Sequence, residues 1–123
     1  MAPPTPLPQY VYKIVPEAPP EPIPAQYPLS ELDQKDGFVH LSTAAQIPTT
    51  AGLFFADAAA LWVLRVRFRP DFHAATTWEV PGCPHLHGGK NFGAADVDGV
   101  RRFERAGGET WPDAMARQAG FLV

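Results

Sequence analysis

Leu61-Trp62-Val63-Leu64-Arg65-Val66-Arg67-Phe68 is the stretch whose reading decides the fold. Its apolar residues Trp62, Leu64, Val66 and Phe68 recur at every second position, while Arg65 and Arg67, continued by Arg69, share the other face. A period of two predicts a half-buried β-strand with its arginine face toward water. Upstream, Tyr10-Val11-Tyr12-Lys13-Ile14-Val15 is a β-branched and aromatic run ended by Pro16, a first strand. Phe38 to Ser42, Thr76 to Val80 closed by Pro81-Gly82, His85-Leu86-His87, and Val100 to Arg105 supply further extended pieces.

Helical signals are fewer. Ser30 opens a short helical turn that Gly37 terminates. Ser42 or Thr43, with Gln46 following, makes a capping-box start, and Pro48 falls where a first turn tolerates it. Glu109 to Ala119 reads as a C-terminal helix with Thr110 as cap and Gly120 as stop. Five or six strands with two or three helices, in no regular alternation, predict a small α+β domain with a bent, mainly antiparallel sheet.

The 123 residues bound a single domain. Ten of the fifteen prolines precede Leu29, which divides the chain into a flexible arm over 1–9 and one domain over 10–123 with a proline-rich connector over 16–28. Each proline removes a backbone donor and restricts the residue before it, so neither segment is a helix. A net charge of -3 argues against general binding of nucleic acids or anionic membranes. The chain has no apolar run long enough for a membrane span and no secretory leader pattern, and its lone Cys83 fits a reducing compartment, so the expected location is the cytoplasm.

Three places carry chemistry. In a strand over 38–42, Phe38, His40 and Ser42 share one face, which displays an imidazole and a hydroxyl at the strand end. The alternative is a buried histidine satisfied by a neighbouring carbonyl, with Ser42 only capping a helix. His85 and His87, at i and i+2 on an extended segment, face the same way. That spacing suits a divalent cation with a third ligand, but the single cysteine and the absence of a His-Glu-x-x-His pattern leave the expectation at no metal. A histidine titrating near its usual value of about 6.5 serves as a general acid or base without tuning. Trp78-Glu79 adds an indole that can stack on a ligand or fill a core, and a carboxylate that can orient an imidazole. The residues expected to act are His40, His85 and Glu79, with Ser42, Trp78, His87 and Phe38 binding a small polar or nucleotide-like molecule. The competing expectation is a non-catalytic ligand-binding or interaction module.

Four ordered blocks resemble the family known as domain of unknown function 952: Tyr12-Lys13, the run Gly37-Phe38-Val39-His40-Leu41-Ser42-Thr43-Ala44-Ala45-Gln46, Trp78-Glu79, and Pro84-His85-Leu86-His87-Gly88. His87 stands where the family usually has tyrosine. The proline-rich leader and connector resemble additions in the fungal branch. The resemblance implies a fold related to the ADP-ribosyltransferases, a split and bent antiparallel sheet around a cleft that holds NAD in the true transferases. In those enzymes a cleft histidine followed by serine or threonine contacts the adenosine ribose and nicotinamide, and His40 with Ser42 resembles that pair. His85 or His87 would take the place of the residue stacked on the nicotinamide. NAD is thereby implied as a cofactor by resemblance alone, since a shared fold does not carry function with it.

Overall fold

The computed structural model describes residues 3–4, 6–79, 83–118 and 120–122. Strand β1 (Tyr10–Val15) pairs antiparallel with β3 (Ala60–Arg67), which pairs antiparallel on its other side with β6 (Val97–Glu104). A second antiparallel sheet has β5 (Cys83–Leu86) between β2 (Val39–His40) and β4 (Thr76–Glu79). Backbone bonds between Tyr12 and Ser42, 2.8 and 2.9 Å long, join the two sheets. Helices α1 (Glu31–Asp36), α2 (Ile47–Phe54), α3 (Pro70–Ala75) and α4 (Trp111–Arg117), with a 3-10 turn over Ala44–Gln46, complete the described elements.

Alternation along the strands sorts side chains into two apolar layers. Val11, Leu64, Val66 and Phe68 face Val39, Leu86 and Trp78 of the second sheet, with Phe72, Tyr27 and Phe92 filling the gap. On the other side Tyr12, Ile14, Leu61, Val63 and Phe103 pack against Ile47 and Ala51 of α2 and Trp111, Ala114 and Met115 of α4. The central strand β3 is thus buried on both faces from Leu61 to Leu64, apart from the half-buried Trp62. This corrects the half-buried expectation: helices cover the odd-numbered face until it runs past them at Arg65 and Arg67. There a register shift in β6 coincides with Asp98, which pairs with Arg65 at 3.3 Å and Arg67 at 2.8 Å. Arg69 meets Asp96 at 2.8 Å. The arginine stripe is an ion-paired surface.

The proline-rich connector lies on the body. Ala94 N donates to Pro24 O and Tyr27 N to Phe92 O, both at 2.9 Å, and the Tyr27 and Phe92 rings stack 5.1 Å apart. Gly93 is required at that seam, because a side chain there would collide with the carbonyl of Ala25.

Several local expectations change. Among the described residues four α-helices form where two or three were expected, and the added one is α3, which starts at Pro70 in a first turn. The cap of the 3-10 turn is Thr43 and not Ser42, with Thr43 N donating to the Gln46 side chain at 3.0 Å. β6 begins at Val97, ahead of the expected Val100. The expected Pro81-Gly82 closure of β4 lies outside the described residues. No described helix is long and apolar enough to cross a membrane.

Candidate functional site

The second sheet turns its apolar residues inward and its polar residues outward. Val39, Leu86 and Trp78 are buried, whereas His40, His85 and Thr77 form one cross-strand row, His40 opposite His85 and Thr77 opposite His85. Phe38 covers the row. Its ring lies 4.5 Å from that of His40 and 4.6 Å from those of His85 and His87. The His40 and His85 rings meet edge to face at 5.0 Å.

Helix α1 supplies what the sequence reading missed. Ser30 caps it by accepting from Asp33 N at 3.1 Å, and Gly37, with a left-handed φ of 79°, turns the chain directly into β2. This short return sets Asp33 and Asp36 beside His40. Asp33 Oδ1 accepts from His40 N at 3.0 Å and lies 2.7 Å from His40 Nδ1, while Asp33 Oδ2 is 2.7 Å from Lys13 Nζ. Lys13 also donates to His40 O at 3.0 Å. At the outer end, His40 Nε2 is 3.0 Å from Asp36 Oδ2.

The electrostatics follow from burial and pairing. Burial works to raise the carboxyl of Asp33, but the Lys13 charge and the hydrogen bonds from Lys13 and His40 outweigh it and hold Asp33 below its ordinary value. Burial lowers Lys13, with Asp33 opposing that shift. An ionised carboxylate only accepts, so the proton between Asp33 and His40 sits on Nδ1. His85 is pushed below the usual histidine value, first by burial and then by His40, with a smaller push from His87 against the opposing Glu79 and Asp36. Among the described residues its buried Nδ1 has no hydrogen-bond partner.

The remaining expected residues are placed as follows. His87 Nε2 lies 2.9 Å from the Thr77 hydroxyl, which donates to Glu79 Oε1 at 3.2 Å. Glu79 is therefore linked to an imidazole through Thr77, and the carboxylates set directly against an imidazole are Asp33 and Asp36. Trp78 is 6% exposed on the opposite face, edge to face with Phe68, and does not join the histidines. Ser42 is 5% exposed, with its main chain bonded to Tyr12. Among the described residues no three His, Cys, Asp or Glu side chains are grouped to hold a metal ion.

A family model described as protein of unknown function, DUF952, matches residues 21–100. The chain belongs to this family. The matched span contains α1, the histidine row and both flanking strands of the second sheet, while β1 with Lys13 precedes it and α4 follows it. The chain is similar to the crystal structure of protein CC0527 from Caulobacter crescentus, at 23% identity, 77% coverage of this chain, 86% of that chain and a TM-score of 0.60. The solution NMR structure of CC0527 gives 23%, 78%, 85% and 0.57. At this identity the likeness shows the fold alone. No curated protein matches.

Proposed function

We propose that this DUF952 member binds a small polar or nucleotide-like molecule on the outer face of β2, β5 and β4, and that His40 and His85 act on it as acid and base. The observation that carries the reading is the anchored carboxylate: Asp33, 2% exposed and paired with the 6% exposed Lys13, fixes the His40 ring at 2.7 Å. Burying an ion pair contributes little net stability, because desolvation offsets the attraction. What the pair does provide is a rigid acceptor beneath one imidazole, the arrangement that orients a proton-transferring histidine.

His85, held neutral, accepts a proton from the ligand. His40 acts as the imidazolium: it keeps Nδ1–H on Asp33, gives its Nε2 proton to the ligand once the ligand replaces the side chain of Asp36, and is left neutral. Phe38 packs against the rings of His40, His85 and His87 and shields part of each from water. Glu79 acts at a distance through Thr77 and His87. A binding module without chemistry is favoured by one feature, the packing of Phe38 against all three imidazoles.

The division into two antiparallel three-stranded sheets supports an ADP-ribosyltransferase-like reading of the architecture. NAD fits these residues poorly. Ser42 is 5% exposed with its main chain bonded to Tyr12, and Phe38 already packs against the rings of His85 and His87. No step is therefore routed through NAD.

The test is a thermal-shift screen of the full chain against small acids, sugars and nucleotides, repeated with His40→Ala and His85→Ala. Hits that raise the wild-type midpoint and vanish in both variants are expected, with turnover followed by NMR of the hit compound. Hits unaffected by either substitution would overturn the site. Binding without turnover would select the module reading.

A further inference from the structure

Beyond the histidine row, the edge strand β4 borders a second feature. A cleft of about 780 Å³ lies between the N-terminal arm and β4, lined by Pro3 and Leu7 of the arm and by Phe68, His73, Trp78 and Glu79 among others. Its volume falls inside the range of about 300–1,000 Å³ typical of small-molecule sites. Leu7 is 40% exposed, an apolar side chain only part covered, and the Phe68 and Trp78 rings lie edge to face 5.7 Å apart. Gln9 O accepts from Phe68 N at 2.9 Å and ties the base of the arm to the body.

The polar content of this cleft has one sign. Among the described residues no lysine or arginine lines it, and no cation pairs with Glu79. His73 is committed through Nε2–H to the carbonyl of Phe68 at 2.9 Å. Thr77 donates to Glu79 Oε1, which orients the carboxylate and leaves Oε2 without a partner among the described residues. A mostly apolar cleft with one free carboxylate selects a molecule with an apolar body and a cationic end.

We propose that this cleft is a binding site for a small organic ammonium ion, with Glu79 receiving the ammonium group and Leu7, Pro3 and Ala74 contacting the apolar body. The site shares Glu79 and Thr77 with the network that reaches His87, and it has no lining residue in common with the proton-transfer pair itself. His40 and His85 do not line the cleft, so the ammonium ion has no contact with either ring. The arm is one wall of the site, which gives the proline-rich leader a role.

The test is an amide NMR titration of the full chain with phenethylammonium and, at matched ionic strength, with 3-phenylpropanoate. Shifts are expected at Ala74, Thr76, Thr77 and Trp78 with the ammonium, and binding of the carboxylate is expected to be at least about tenfold weaker. Glu79→Gln, a change at an exposed position, is expected to weaken the ammonium about fivefold, the scale of a solvent-exposed ion pair. Leu7→Ser weakens both probes, and His40→Ala leaves the ammonium affinity within about twofold. Equal binding of the two probes, an unchanged Glu79→Gln affinity, shifts confined to other parts of the chain, or loss of ammonium binding in His40→Ala would each overturn the proposal.

Discussion

The two faces of the sheet formed by β2, β5 and β4 are built from alternate residues of the same strands, yet they obey different rules. Inward, Val39, Leu86 and Trp78 are 2%, 1% and 6% exposed and pack on the first sheet. Outward, Phe38, His40 and His85 are half-buried, and the His40 ring is held by Asp33 and Asp36 of α1, with Lys13 of β1 fixing Asp33. The inward face is set by volume. The outward face is set by direction, since His40 is aimed by Asp33 and Asp36 and His87 by Thr77.

Substitutions that separate these rules should differ in size. The largest losses are expected where a buried charge or a large ring is removed. Asp33→Ala leaves Lys13 buried without its partner and should cost about 3–5 kcal/mol of unfolding free energy. Trp78→Ala, on the inward face, should cost about 3–5 kcal/mol through the cavity it leaves. Both are read by equilibrium denaturation in urea, and a loss below about 1 kcal/mol for Trp78→Ala would erase the contrast between the faces. Phe38→Ala is smaller, about 1–2 kcal/mol, because that ring is only half-buried. His85→Ala should cost less than about 1 kcal/mol, since it also removes a buried nitrogen that has no partner among the described residues.

The pH dependence sharpens the comparison. His85 has a folded value below its unfolded value of about 6.5, so the stability gained by keeping it neutral is fully present above that pH. That contribution is lost as pH falls through the folded value. Asp33 is also depressed, so its contribution is present above about pH 3.9 and is lost as pH falls through its own folded value. Urea unfolding from pH 7 to pH 5 should therefore show stability falling with acid, with a shallower slope in His85→Gln. An unchanged slope would remove His85 from that role.

Much of the scaffold was legible in the sequence. β1 has the predicted bounds, and Ser30 and Gly37 begin and end α1 as their chemistry requires. The period of two in β3 was also correct, but periodicity does not reveal that a central strand has helices on one side and a second sheet on the other. α3 was missed because six residues are too few to show a helical stripe, although Arg69-Pro70-Asp71 carries start signals.

The site was legible in part. His40, His85, His87 and Phe38 do lie together, because i and i+2 spacing and strand pairing align them. Trp78 and Glu79 were read as a pair, although adjacent strand residues point to opposite faces, and parity alone places only one of them on the outward face. Asp33 gave no signal by itself. Its partner Lys13 is twenty residues away, and its position depends on the turn at Gly37 that folds α1 back over β2.

The central claim is that an Asp33-oriented His40 stands beside a neutral His85. It is tested most directly by ¹⁵N NMR of the imidazole rings of the full chain, followed as a function of pH. The expected result is a proton on His40 Nδ1, lost as a fixed feature in Asp33→Ala, and a His85 ring that titrates below the usual 6.5. A His85 ring still charged at pH 7, or a His40 ring with no proton on Nδ1, would contradict it.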